Sequence, residues 1–274
     1  MIVQEKLYIF AVENSNVLYN MDIGPRNKIN SLLMNIHPGG LIFSEGQKKK
    51  GYSDQLMKQY RKSGWLTSLS KGVMYRSGDS LSALAALASC QEQAGKQYRV
   101  AAHSALELFG YYHFVPMGKP KLMVASNEQR TPQWAKSNLF DMTFEFFTTS
   151  AFDFIQEQTI QQNSYSIKAS TPEQAFMECL LLAPRRYSYM DLYYIMEQLT
   201  VLRPAKVQQL LETTNNLTVK RMFLYMAEKT NYPWFQAIDF DRINLGTSKI
   251  QLCKGGVYVS KYKITIPREL AEYE

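Results

Sequence analysis

The most informative part of the chain is residues 44–78, which read SEGQKKKGYSDQLMKQYRKSGWLTSLSKGVMYRSG. Ser53 is a typical N-cap residue and Gly64 a typical terminator, so these residues predict a helix that ends near Ser63. Its packing face would carry Leu56, Met57 and Tyr60. Its opposite face would carry Gln55, Lys58, Gln59 and Lys62. One side of the predicted helix is therefore suited to packing, and the other offers amide and ammonium groups.

After this helix the chain has the pattern of a β-hairpin. Residues 65–69 alternate apolar and polar side chains, residues 70–72 have turn chemistry, and residues 73–76 alternate again. Lys71 would lie at the tip of the hairpin.

Before residue 53 the sequence predicts two further helices and a strand. Residues 29–36 have apolar side chains at helical spacing, and Pro25 suits the first turn of that helix. A short apolar strand follows at 41–43, and Ser44 with Gln47 has the spacing of a capping box for a second helix. Helix, strand, two helices and hairpin is the order of a winged helix-turn-helix domain, whose third helix enters the major groove of DNA.

The charge of this region favours a polyanionic partner. Residues 44–76 contain eight basic and two acidic side chains, a net charge of +6. A glutamine amide matches an adenine edge, so Gln55 and Gln59 are predicted to read bases, while Lys58 can reach a guanine or a phosphate. Ser53, at a helix N-terminus, is expected near a phosphate. The other predicted phosphate contacts are Lys48, Lys49, Lys50, Lys62, Lys71 and Arg76.

The whole chain has 274 residues, a net charge of +7 and 46% hydrophobic residues, which is typical of a folded chain of about two domains. We predict a segment of open role at 1–22, a winged helix-turn-helix domain at 23–80 and a larger mixed domain at 81–274. No apolar run approaches the ~20 residues of a membrane span and no signal peptide is evident, so we expect a cytoplasmic protein without a membrane partner. The three separated cysteines predict no disulfide.

The second domain has the mixed pattern of an α+β fold. Helices are predicted at 82–94, 102–109, 172–183, 189–201, 204–213 and 218–228. Strands are predicted at 121–126, 139–148, 249–253 and 257–266. The last two strands are expected to pair as a hairpin around Gly255 and Gly256.

The motifs of the common enzyme classes are missing from the sequence. It contains no phosphate-binding or dinucleotide-binding glycine motif, no nucleophile elbow, and no zinc-protease or kinase signature. The three histidines and three cysteines lack metal-ligand spacing, so no catalytic residue, metal or cofactor is predicted. His103, Ser104 and Glu107 could share a helix face, which we interpret as a surface or interdomain pair.

Several sequence blocks follow one another along the chain. They are YRKSGWL at 60–66 with GVMYRSGD at 72–79, ALEL at 105–108 with YHFVP at 112–116, STPEQA at 170–175, VKRMFLYMAE at 219–228, and LGTSK at 245–249 with GG at 255–256 and KYKITIP at 261–267. Together they resemble the AbiEi antitoxins of type IV toxin-antitoxin systems, which act in abortive infection. The resemblance extends from about residue 25 to 267.

The resemblance implies two functions. The winged helix would repress its own operon by binding inverted repeats in the promoter, as a dimer or a cooperative pair on the DNA. The second domain would neutralise a nucleotidyltransferase-like (AbiEii-type) toxin. Three modes of neutralisation stay open: no contact with the toxin, direct binding, and phosphorylation by an atypical kinase-like activity.

The chain departs from the family pattern in three places. Residues 1–22 lie outside it, Gly46 interrupts the predicted second helix, and Ala102-His103 stands where relatives have a Gly-Lys-like pair. The last departure puts in doubt any role that relatives assign to a lysine there.

Tyrosine and arginine are enriched at protein interfaces, so the helical stretch after residue 171 is the predicted toxin-facing surface. Its candidate residues are Arg185, Arg186 and Lys220. Two alternatives to an antitoxin remain: a toxin-modifying enzyme, and a winged-helix regulator whose second domain senses a small ligand.

Overall fold

The computed structural model describes residues 25–111, 118–128 and 130–273, with side chains from residue 28 onward. The described residues form two units, divided between Ile36 and His37. The first contains helix α1 (Pro25–Met34), which confirms the predicted helix with Pro25 in its first turn. The predicted segment at 1–22 and the YHFVP block at 112–116 lie outside the described residues.

The second unit begins with the remaining elements of the winged-helix order. They are β1 (Ile42–Phe43), α2 (Ser44–Lys49), α3 (Asp54–Lys62), β2 (Leu66–Ser70) and β3 (Val73–Arg76). Strand β3 pairs antiparallel with both β1 and β2, giving a sheet of order β1-β3-β2. The predicted hairpin is confirmed, with Gly72 at φ +75° in its turn.

A larger mixed region follows. Its helices are α4 (Ala83–Ala94), α5 (Ala102–Leu108), α6 (Pro172–Leu182), α7 (Tyr189–Met196), α8 (Pro204–Thr213), α9 (Leu217–Thr230) and α10 (Arg268–Glu272). Its strands are β4 (Arg99–Val100), β5 (Lys121–Ser126), β6 (Thr143–Thr148), β7 (Glu157–Gln161), β8 (Ser166–Ser170), β9 (Ile250–Gln251), β10 (Val257–Val259) and β11 (Ile264–Ile266). A five-stranded sheet has the order β6-β5-β4-β8-β7 and a three-stranded sheet the order β10-β11-β9. The α+β class, with a winged helix-turn-helix domain before a larger mixed domain, is confirmed.

Helix α6 lies at the centre of the larger region and packs against α5, α7, α8 and α9. Thr171 caps it and Pro172 occupies its first turn, as the sequence predicts. Its buried charge is compensated: Glu178 accepts hydrogen bonds from Arg99 (2.6 Å), Ser170 (3.0 Å) and the Ala102 amide (3.0 Å). A buried carboxylate without such partners would destabilise the fold.

The prediction of a hairpin around Gly255 and Gly256 is wrong. Strand β9 pairs in parallel with β11, and the hairpin is formed by β10 and β11 through the turn at 260–263. The predicted strand 257–266 is therefore two strands. Gly256 is needed for another reason, because a Cβ there would lie 2.2 Å from the Ile266 carbonyl oxygen.

The strand prediction was also incomplete. Strands β4, β7 and β8 were not predicted: β4 has two residues, and β7 and β8 are rich in polar side chains. Their pairing within the five-stranded sheet, rather than local pattern, makes them strands.

Candidate nucleic-acid interface

Helix α3 has two faces of opposite character. Its N-cap is Ser53, whose Oγ accepts a hydrogen bond from the Leu56 amide at 3.2 Å. Met57 and Tyr60 are 2% and 5% exposed and anchor the helix. Gln55, Lys58, Gln59 and Lys62 are all exposed on the other side. The sequence prediction for this helix is confirmed in both its bounds and its faces.

The end of α3 sets the start of the hairpin. Gly64 has φ +78°, and the amides of Gly64 and Trp65 donate to the carbonyls of Arg61 (3.2 Å) and Tyr60 (3.0 Å). This is a Schellman arrangement, which turns the chain sharply into β2. Arg61 also donates to Ser68 Oγ at 3.3 Å and so links the helix to the hairpin.

The predicted phosphate contacts differ in their availability. Ion pairs already engage Lys48 with Asp54 (2.7 Å), Lys50 with Glu92 (3.7 Å) and Arg76 with Asp79 (2.8 Å). Within the described parts of the chain, no carboxylate lies within 4.0 Å of Lys49, Lys58, Lys62 or Lys71. These four exposed lysines can therefore approach a phosphate without first breaking an ion pair.

The predicted capping box at the start of α2 is wrong. The N-cap position belongs to Phe43, and Gln47 is buried and donates to Gln93 Oε1 at 3.1 Å. Gly46 continues the helix instead of interrupting it. A Cβ at this position would lie 2.6 Å from the Gln93 carbonyl oxygen. Close packing of α2 on α4 thus requires glycine at this position.

Two side chains of α4, Ser89 and Gln93, hydrogen-bond to the backbone of residues 41–43, a role that the sequence pattern does not predict. Ser89 Oγ accepts from the Leu41 amide (3.1 Å), while Gln93 accepts from the Phe43 amide (2.9 Å) and donates to the Leu41 carbonyl (2.9 Å). They satisfy the open edge of β1, which an edge strand otherwise leaves unpaired. Their partners are about 50 residues away, so no local pattern could have revealed the role.

Comparison with known protein families agrees with this geometry. Residues 25–117 match the AbiEi antitoxin N-terminal domain, described as a transcriptional regulator. Residues 119–267 match the family described as a transcriptional regulator, AbiEi antitoxin, of type IV toxin-antitoxin systems. The chain belongs to the AbiEi antitoxin family.

A solved structure is similar to this AbiEi protein in fold. It is the crystal structure of the RV2827C protein from Mycobacterium tuberculosis, with a TM-score of 0.57 and 14% sequence identity. The match covers 86% of this chain and 88% of that chain. No curated protein matches the sequence.

The departure from the family pattern at Ala102-His103 lies at the start of α5. Ala102 has φ +48°, a left-handed conformation that is strained for a residue with a Cβ. His103 Nδ1 lies 2.7 Å from the Tyr187 hydroxyl, and burial lowers the pKa of His103 despite the opposing effects of the Lys121 carbonyl and the Glu145 carboxylate.

The neighbours of His103 on α5 have separate roles. Ser104 donates to the Lys121 carbonyl (3.1 Å) and accepts from the Met123 amide (3.0 Å). Burial raises the pKa of Glu107. His103 and Ser104 therefore contact different partners, the Tyr187 side chain and the backbone of β5.

The predicted toxin-facing residues do not share one environment. Arg185 is exposed, and Arg186 pairs with Glu145 at 2.6 Å. Lys220 is only 4% exposed and donates to the Asn244 carbonyl at 3.2 Å, so its assignment to a surface is wrong. Burial lowers the pKa of Lys220, although Glu212 opposes this effect. Among the tyrosines of this stretch, Tyr187, Tyr189 and Tyr193 are buried in the core and Tyr194 is half-buried.

Lys220 and its neighbour Arg221 instead hold a loop in place. Arg221 is completely buried and donates to the carbonyls of Leu245 (2.9 and 2.5 Å), Ser248 (2.8 Å) and Lys263 (2.9 Å). Two of the family blocks, at 219–228 and 245–249, are thus joined by a buried guanidinium.

Within the described ranges, no cluster of three or more His, Cys, Asp or Glu side chains has the geometry to hold a metal ion. Over the same ranges, no helix combines the length and hydropathy of a membrane span.

Proposed function

We propose that this AbiEi protein represses its own operon by binding inverted repeats in the promoter, as a dimer or a cooperative pair, with α3 in the major groove. The two faces of α3 carry the proposal. Met57 and Tyr60 fix the helix in the fold, so that its amides and ammonium groups are presented outward together. A hairpin with a lysine at its tip lies next to this helix in the chain, as a wing requires.

The proposed contacts divide by chemistry. Gln55 and Gln59 read base edges, because an amide can both donate to and accept from adenine. Lys49, Lys58, Lys62 and Lys71 contact phosphates or, for Lys58, a guanine. The ion-paired side chains Lys48, Lys50 and Arg76 are secondary phosphate contacts. Ser53 contributes the N-terminus of α3, which favours an anion.

The second part of the proposal is neutralisation, in the cytoplasm, of a nucleotidyltransferase-like toxin without catalysis by this chain. The family description as an antitoxin and transcriptional regulator supports it. We retain Arg185 and Arg186 as toxin-facing residues, because both are exposed and lie together before α7. Arginine at such a position favours a partner surface with carboxylates.

A gel shift of the purified protein on the DNA upstream of its gene tests the repressor function. The wild type should shift a fragment with an inverted repeat, and the double variant Gln55→Ala/Gln59→Ala should lose preference for it over scrambled DNA. Gln236→Ala, an exposed glutamine in the turn at 233–237 of the larger region, is the matched control. Equal binding to both fragments by the wild type would contradict sequence-specific repression.

Co-expression with the product of the neighbouring gene tests neutralisation. Arg185→Glu should weaken rescue of growth and co-purification with the toxin, while operator binding persists. Transfer of phosphate from ATP to the toxin would contradict the non-enzymatic part of the proposal and favour a kinase-like enzyme. Operator affinity that depends on a small ligand would favour the sensor.

A further inference from the structure

The three-stranded sheet near the end of the chain has an outer row of polar and aromatic side chains. Thr265 on the central strand is paired with Tyr258 on one side and with Gln251 on the other. Ile264 and Ile266 are buried, and since successive residues of a strand point to opposite faces, the row lies on the face away from the core. Tyr258 is 43% exposed.

The segment that contains this sheet is basic. Residues 242–268 contain six basic side chains and no acidic one. Three of the six are paired with glutamates from other segments or from α10: Arg242, Lys261 and Arg268. Among the described residues, Lys249, Lys254 and Lys263 are exposed and have no ion-pair partner.

One of these lysines is placed directly over the aromatic ring. The Nζ atom of Lys249 lies 5.2 Å from the centroid of the Tyr258 ring. A cation at this distance stabilises the orientation of the ring and adds a positive charge beside its exposed part.

Hydrogen bonds from a buried arginine fix the backbone beside Lys249 and at Lys263. Arg221 donates to the Ser248 carbonyl, one residue before Lys249, and to the carbonyl of Lys263 itself. The two lysines therefore extend from a fixed backbone, which reduces the entropy lost on binding a ligand.

We propose that the outer face of the β9–β11 sheet binds single-stranded nucleic acid. Tyr258 would stack on an unpaired base, and Lys249, Lys254 and Lys263 would contact successive phosphates. A basic surface with an exposed aromatic ring is the combination that single-strand binding uses, because every unpaired base offers a face for stacking. A duplex hides those faces inside its base stack.

Fluorescence anisotropy with the full-length protein tests the proposal. The probes are labelled 12-nucleotide oligo-dT and oligo-U strands and a labelled operator duplex. Tyr258→Ala should weaken single-strand binding on the order of tenfold, while Tyr258→Phe, which keeps the ring, should bind like the wild type. Lys249→Gln/Lys254→Gln should flatten the log-log salt dependence by about 1.4, at roughly 0.7 per phosphate contact.

The controls separate this surface from the winged helix. Lys136→Gln/Lys206→Gln removes the same charge elsewhere and should leave single-strand binding unchanged. Sheet variants should bind the operator duplex like the wild type, and Lys58→Gln/Lys62→Gln should retain single-strand binding. The relative affinities for oligo-dT and oligo-U assign the natural strand to DNA or RNA.

Three results would overturn the proposal. They are unchanged single-strand affinity in Tyr258→Ala, loss of single-strand binding in the α3 variant with the sheet variants unaffected, and absence of binding to either oligonucleotide. Thermal unfolding of each variant checks that a loss of binding is not a loss of fold.

Discussion

The salt dependence of operator binding can be predicted from the ion pairs around α3. Lys49, Lys58, Lys62 and Lys71 have no ion-pair partner among the described residues, so each can release a counterion from DNA on binding. Four phosphate contacts give a slope of log affinity against log salt of about −3.6 for each bound copy. The affinity of one copy should therefore fall about 150-fold between roughly 50 and 200 mM salt.

The measurement is an anisotropy titration of the upstream duplex at several salt concentrations. Lys62→Gln or Lys71→Gln should flatten the slope by about 0.9. Lys50→Gln should change it less, because Lys50 already has a carboxylate partner in Glu92. Lys254→Gln, at an exposed turn near the end of the chain, is the control and should leave the slope unchanged.

The same reasoning predicts that loss of one ion pair strengthens operator binding. Asp54→Asn frees Lys48, so the slope should steepen by about 0.9 and the affinity at low salt should rise. A salt response that is nearly flat, or identical slopes for Lys50→Gln and Lys62→Gln, would refute the assignment of free and engaged lysines.

Three further predictions concern single residues. Gln55→Ala should cost about 1–3 kcal/mol on the cognate site and less on scrambled DNA; equal losses would indicate a backbone contact. Gly46→Ala should destabilise the protein by about 1–3 kcal/mol in thermal unfolding, because its Cβ would meet Gln93, and an unchanged melting temperature would contradict this packing. Burial raises the pKa of Glu173, but the hydrogen bonds from Arg203 outweigh it and the pKa is lowered. The stability that ionised Glu173 contributes should be fully present above about pH 4.3 and be lost as the pH falls through the lowered pKa. The free energies of unfolding of the wild type and Glu173→Gln should therefore become equal in acid. A difference that does not change with pH would contradict the pairing.

Local signals are sufficient to predict helix α3 and the hairpin that follows it. Ser53 lies directly before the helix and Gly64 just after it, and the spacing of Met57 and Tyr60 gives its buried face directly. The turn at Gly72 is equally local. Where all partners of a residue lie within one turn of helix or one hairpin, the sequence contains the information needed to place it.

Non-local packing explains the failures. Gln47 has a capping spacing, yet its amide bonds to Gln93, 46 residues away. The glycine pair before β10 has hairpin chemistry, but β9 pairs with β11 instead. In both cases the partner is one that the local pattern does not indicate.

The sequence by itself determined the α+β class, the winged-helix order, the outward face of α3 and the family. The tertiary structure alone decided which charges reach the surface. Lys220 and Arg221 look like surface cations in the sequence, but they are buried where the carbonyls of the 244–248 loop and Lys263 satisfy their donors. A charge can be buried only where hydrogen-bond partners replace its hydration, and here those partners lie 24 to 42 residues away, so only the folded chain brings them together.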